Sequence, residues 1–285
     1  MHKKYLWIIL FICFCMKAFS LTLITGDQVE GTVMEKYASG KIKYFRLNDA
    51  SAINIPEVGK VTVHGTISLY ENGQLMVLHL EHPQEINTPM GIFEVYSELH
   101  FHNNGKLSAC YFKQVKEVET SIGKILVSNL FFYESGKLLE CWPWSNKKNN
   151  NILSTAIGVI KLYDMIYIRF YESGELLGFA LHNEMSVTTS VGAFLSDFII
   201  FYKNGKLMIC SFDTPKKINT PNGEMTAISI GFHESGELFT VWPTEDTVIQ
   251  GKNYKRIVLG WDENGNLLGE MVWNNELVTW VPKNK

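Results

Sequence analysis

The chain predicts an all-β fold, an antiparallel β-meander of eight hairpin repeats of about 31 residues, and three observations carry that reading. First, turn-type glycines fall at a near-constant period: Gly40, Gly73, Gly105, Gly136, Gly174, Gly205, Gly236 and Gly265, with spacings of 33, 32, 31, 38, 31, 31 and 29 residues. Second, another glycine column precedes each by 13 to 16 residues, at Gly26, Gly59, Gly91, Gly123, Gly158, Gly192, Gly223 and Gly251. Third, the segments between glycines are short, rich in aromatic and β-branched residues, and bounded by turn signals such as "INTPMG" and "INTPNG".

The first element is a leader. Residues 1–20 carry a basic start (His2, Lys3, Lys4), a 12-residue apolar run from Tyr5 to Met16, and small residues Ala18 and Ser20 at cleavage spacing. The run is shorter than the roughly 20 residues that span a bilayer as a helix. A signal peptide cut after Ser20 is therefore expected, leaving 21–285 as a single β-repeat domain, exported across the inner membrane of a bacterium and extracytoplasmic: periplasmic, surface or secreted. The mature chain would hold 23 basic and 29 acidic residues, a net charge of −6. An acidic chain without a cluster of Lys and Arg is a poor partner for nucleic acid or anionic lipid. No later run is long enough for a transmembrane helix.

The repeated hairpin comes next. "FYESGKL" and its copies suit a type I turn with glycine in the left-handed bulge position, a conformation nearly closed to residues with a Cβ. In that register the residue four before the glycine faces the residue two after it. The first series is Leu69, Phe101, Phe132, Phe170, Phe201, Phe232 and Trp261, and the second is leucine throughout, Leu75 to Leu267. Six before the glycine, Ile67, Leu99, Leu130, Ile168, Ile199, Ile230 and Leu259 extend the stripe, so one face of every hairpin is core. The opposite face alternates less cleanly, because the residue three after the glycine is also mostly apolar. Loops folding back, or hairpins stacking face to face, would cover part of it. An open twisted array and a closed propeller-like ring both satisfy the pattern, the open array better.

"YENGQL" (70–75), "FYESGKL" (132–138), "FYESGEL" (170–176) and "FYKNGKL" (201–207) resemble the variant form of MORN repeats, with its Tyr-x-Asn-Gly-Lys-Leu hairpin. The likeness recurs over nearly all of the mature chain in matches of six or seven residues. MORN-type units are about two thirds this length, and their following glycine and tryptophan are not reproduced cleanly. The resemblance implies an elongated antiparallel sheet acting as a scaffold or interaction surface, and it carries no catalytic residue.

No nucleophile elbow, phosphate loop or zinc-protease helix motif is found, and no catalytic residue, cofactor or metal is expected. Cys110, Cys141 and Cys210, each five residues past a turn glycine, read as buried free thiols. In a meander their equivalents lie two strand spacings apart, roughly 9.6 Å, beyond the roughly 7 Å reach of a disulfide. His100 and His102, with His64, lack further ligands at metal spacing. His102 and His233 occupy the column filled by Tyr70, Tyr133, Tyr171 and Tyr202. "WDENGN" (261–266) reads as a turn ahead of a calcium loop, and the tip glutamates as solvated. One binding surface is proposed by the pattern: the rim row Tyr70, Tyr133, Tyr171 and Tyr202, with Trp142, Trp144 and Trp242 of "CWPW" and "VWP", facing a glycan or peptide. The 38-residue unit places its extra length in "SNKKNNN" (145–151). The function expected is a non-catalytic exported scaffold binding a protein or glycan of the cell envelope; an envelope glycan-active enzyme and an outer-membrane β-barrel are the competing classes.

Overall fold

A computed structural model describes residues 19–144, 152–161, 165–274 and 279–283. The expected leader and the "SNKKNNN" insertion lie outside these residues, apart from Phe19 and Ser20, which open the first strand. The strands are β1 (Phe19–Thr22), β2 (Gln28–Lys36), β3 (Ile42–Leu47), β4 (Ser51–Ile55), β5 (Gly59–Leu69), β6 (Leu75–Leu80), β7 (Gln84–Thr88), β8 (Gly91–Phe101), β9 (Leu107–Thr120), β10 (Gly123–Phe132), β11 (Leu138–Pro143) and β12 (Ile152–Thr155). The second half holds β13 (Gly158–Lys161), β14 (Met165–Phe170), β15 (Leu176–Thr189), β16 (Gly192–Phe201), β17 (Leu207–Thr220), β18 (Gly223–Phe232), β19 (Leu238–Pro243), β20 (Thr247–Ile249), β21 (Lys252–Tyr254), β22 (Leu259–Trp261), β23 (Leu267–Asn274) and β24 (Thr279–Pro282). No helix forms among the described residues.

Every turn glycine of the first column sits at a strand reversal. In the Tyr70–Gln74 turn, Gly73 N donates to Tyr70 O at 2.9 Å and Tyr70 N donates to Gln74 O at 2.8 Å, with Gly73 at φ +91°. The other seven turns repeat both bonds. This is a type I turn closed by a left-handed glycine, and the bulge it creates sets the register. The cross-strand pairs follow: Leu69 faces Leu75, Phe101 faces Leu107, Phe132 faces Leu138, Phe170 faces Leu176, Phe201 faces Leu207, Phe232 faces Leu238 and Trp261 faces Leu267.

The second glycine column closes eight further hairpins, here called arms, such as β7/β8 and β17/β18. Five of them share one device. Thr88, Thr120, Thr155, Thr189 and Thr220 each donate Oγ1 to the carbonyl of the arm glycine and accept from the backbone N–H two residues on. In six of the eight, arm and main hairpin share strands, and the shared strand changes direction at a register shift, as between His64 and Ser68 or Val95 and Leu99; β12/β13 and β20/β21 form two-stranded sheets of their own. Gly65 (φ +72°) and Ser97 (φ +75°) mark two of these corners. A straight β8 would hold Pro89 roughly 30 Å from the hairpin tips at about 3.3 Å per residue. Yet a Cβ on Gly136 would lie 3.6 Å from Pro89. This arm therefore folds back over the inner face of the hairpin sheet, as do β15/β16, where Ser190 Oγ donates to Gly236 O, and β17/β18, where Asn222 Oδ1 accepts from Trp261 Nε1.

The core lies between these layers. Ile67, Leu99, Leu130, Ile168, Ile199 and Leu259 of the main hairpins are completely buried, in one cluster with Ile53, Ile86, Val118, Ile125, Val187 and Ile218 of the arms. Twenty strands form one antiparallel sheet; β1, β4 and β7 pair with the arm portions of β2, β5 and β8, leaving seventeen side by side from β2 to β24. The sheet is open. β1 pairs with β2 and β24 with β23, so the first and last strands never meet and the closed ring is not formed. Closure would need the accumulated twist between neighbouring strands to bring the ends together in register. Here the inner face is filled by the arms instead.

Candidate functional site

The rim row is where the sequence places a partner surface, and the structure gives its polar groups an internal task. Three residues before each of the first seven turn glycines, a side chain reaches the next unit and bonds the carbonyl four residues before that unit's glycine. The Tyr37 hydroxyl donates to Leu69 O at 2.9 Å, Tyr70 to Phe101 O at 2.9 Å, Tyr133 to Phe170 O at 2.9 Å, Tyr171 to Phe201 O at 2.8 Å and Tyr202 to Phe232 O at 2.7 Å. His102 Nε2 reaches Phe132 O and His233 Nε2 reaches Trp261 O, each at 2.8 Å. A carbonyl only accepts, so both imidazoles carry their proton on Nε2. Seven units are thus tied to their successors by one repeated bond. Burial pushes the Tyr171 and Tyr202 phenols up to about 12, helped by neighbouring tyrosines at Tyr171 and by Glu234 at Tyr202.

In the last unit the position holds Asp262, which turns onto its own loop. Its carboxylate accepts from the Asn264 and Asn266 amides at 2.9 and 2.8 Å and from Asn266 Nδ2 at 2.9 Å, bonds that hold it below the usual carboxylate range. "WDENGN" is therefore a self-closed turn. Among the described residues no three His, Cys, Asp or Glu side chains converge on a metal position. Cys110, Cys141 and Cys210 are free and buried. Cys110 and Cys141 flank Leu130 on either side of β10, the two-strand separation that forbids a bridge. Burial drives the Cys110 and Cys210 thiols up to about 12 and raises Cys141 too.

The three tryptophans project elsewhere. Trp142, Trp144 and Trp242 are 40%, 49% and 44% exposed. Trp142 belongs to a track that crosses the outer face of the sheet, the face turned away from the arms. It starts where His79 Nδ1 and His100 Nε2 approach the two oxygens of Glu98, at 3.3 and 2.9 Å. His100 packs edge-on to Tyr111 (5.7 Å between ring centres), Tyr111 edge-on to Phe131 (6.2 Å), and Phe131 against Trp142 (5.6 Å). Glu140 then accepts from Trp142 Nε1 at 2.7 Å and from Arg169 Nε at 2.6 Å, and the Arg169 guanidinium lies 4.9 Å over the Tyr167 ring. Burial raises the Tyr111 and Tyr167 phenols.

The track arises from the pleat. Alternate residues of β8 to β11 and β14 point to opposite faces, so while Leu99, Cys110, Leu130, Cys141 and Ile168 enter the core, their neighbours line up outside. Six strands from β6 to β14 contribute, a span of roughly 24 Å at 4.7–4.9 Å per strand. Of these residues the sequence singles out only Trp142 and, as a histidine of interest, His100. Tyr111, Phe131, Glu140, Tyr167 and Arg169 are missed. They lie in columns whose residue type changes from unit to unit, so periodicity gives no signal. Counting aromatic and charged residues on the non-core parity of β8 to β14 would have found them. Arrangements of this kind offer apolar ring faces beside fixed donors and acceptors. Searches against protein-family models and against curated proteins find no match to this chain.

Proposed function

We propose that the chain is an exported, non-catalytic scaffold that binds a partner of the cell envelope through the outer face of its open sheet, in the manner its MORN-variant likeness implies. The observation that carries this is the division of labour between rim and face. The side chains that repeat in every unit are spent on joining units, whereas the outer-face track, present in one stretch only, concentrates rings and polar groups that the fold does not need. Ring stacking and a buried-edge carboxylate on a water-facing sheet are a liability for solubility unless they meet a partner. The two-layer core under an open sheet favours the scaffold over an outer-membrane barrel, which requires closure with a lipid-facing band. The track's carboxylates, each already bonded to His, Trp or Arg, favour it over a glycan-cleaving enzyme, whose acid and base must be poised in different environments.

The test is retention of the mature chain (residues 21–285) on a washed, insoluble cell-envelope fraction, compared with a Phe131→Ala/Trp142→Ala variant of unchanged circular dichroism. Saturable retention that the double variant loses is expected. Equal retention of both proteins, or none of either, refutes the assignment of binding to this face.

A further inference from the structure

We propose that the outer-face track is a subsite for a neutral, extended polysaccharide, a chain of β-linked pyranose rings lying across β8 to β14; this rests on the scaffold reading above. The chemistry comes from what the track offers and what it has already neutralised. Its one guanidinium is paired with Glu140, and its two imidazoles share Glu98. Every basic group on the track therefore has a carboxylate beside it, and the mature chain is itself acidic, which disfavours a phosphate or a carboxylate polymer. An anionic glycan or a lipid headgroup would meet paired charges.

What remains is matched to a polyhydroxylated ring. Tyr111, Phe131 and Trp142 give apolar surface at ring separations of 5.6 to 6.2 Å, which the C–H faces of successive sugars can cover. Polar groups flank the rings at both ends. Arg169 uses only Nε on Glu140, and a guanidinium carries five N–H donors, so its others can serve ring hydroxyls. Glu140 is held by two bonds with its side chain only 12% exposed, so its remaining lone pairs are fixed in direction. Preorganisation of this sort lowers the entropic cost of ordering a ligand. The rings are tilted or edge-on to one another and not stacked in a single plane (64°, 87° and 40° between successive rings). A soluble chain that twists is the fitting occupant, and a flat crystalline surface is not.

Binding of cellohexaose and of N-acetyl-chitohexaose to the mature protein, followed by calorimetry and by Trp142 fluorescence, tests the assignment. At least one should bind, with Phe131→Ala and Trp142→Ala each weakening it roughly tenfold, Glu140→Gln weakening it, and Tyr96→Phe leaving it unchanged. Hexagalacturonate should bind at least tenfold more weakly than the better neutral hexaose. If neither neutral hexaose binds while envelope retention persists and is abolished by protease treatment of the envelope, the partner is a protein: the glycan assignment falls and the scaffold stands. If envelope retention is absent as well, both fall. Tighter binding of hexagalacturonate would also overturn the proposal.

Discussion

Removing one hydroxyl from the rim isolates the bond that joins two units. In Tyr202→Phe the ring keeps its packing but the 2.7 Å bond to the carbonyl of Phe232 is lost. A neutral intramolecular hydrogen bond contributes about 0.5–1.5 kcal/mol net, and leaving a partly buried acceptor short of a partner adds to that, so a loss of about 1–2 kcal/mol is expected. For a chain of this size each kcal/mol lowers the melting temperature by about 2–4 °C, so differential scanning calorimetry should record a fall of roughly 2–8 °C. Tyr96→Phe, at a residue 52% exposed, is the control and should leave the melting temperature in place. At the histidine positions the same logic gives a rescue: His102→Phe should destabilise the protein, while His102→Tyr, which can donate to Phe132 O, should recover most of the loss. A fall below about 0.5 °C for Tyr202→Phe, or an equal fall for Tyr96→Phe, would show that the rim does not tie the units together.

Other outcomes follow from the same geometry. Stability should decline in alkali: Tyr171 and Tyr202 hold their protons to about 12 when folded against about 10 when unfolded, so above pH 10 the unfolded state binds fewer protons and stability drops through pH 12. Urea titrations at pH 8, 10 and 11 check it, and a flat profile contradicts it. In a protein of residues 21–285, Cys110, Cys141 and Cys210 should stay unreactive to Ellman's reagent until denaturant is added, then react as three equivalents; early reaction of any one would place it outside the core. Gly178→Ala should prevent folding, because its Cβ would lie 2.3 Å from the carbonyl oxygen of Ile199. Gly205→Ala, at φ +80° with open space around it, should lose only about 1–2 kcal/mol to backbone strain. Comparable expression and melting of the two variants would show the close approach at Gly178 to be absent.

Much of the fold was legible because the turn chemistry repeats. Gly40 to Gly265 announce the reversals, and the Phe132–Leu138 type of pair follows from them by counting. The arms were only half legible. Gly91 and Gly223 mark their turns, but nothing in the sequence says that strands such as β8 bend back at Ser97, since the corner depends on a register shift with no residue-type signature. That bend decides which side the arms cover, and so it decides that the core lies under the hairpins and the outer face stays open. The site was legible in one residue type: tryptophan at 142 stands out, while Tyr111 and Phe131 look like core aromatics until the pleat assigns them to the other face. The rim tyrosines were visible as a row, but their acceptors are backbone carbonyls about 30 residues away, which no side-chain pattern encodes.

Small-angle X-ray scattering of residues 21–285 measures the central claim, an open sheet of hairpin units joined one to the next, most directly. Seventeen strands at 4.7–4.9 Å each give roughly 80 Å along the sheet and a radius of gyration of about 25 Å, against about 18 Å for a compact domain of this length. A value near the larger figure, with a maximum dimension of roughly 75 Å or more, is the result the open array predicts. A radius near 18 Å would mean that the units close on themselves, and the array described here would be wrong.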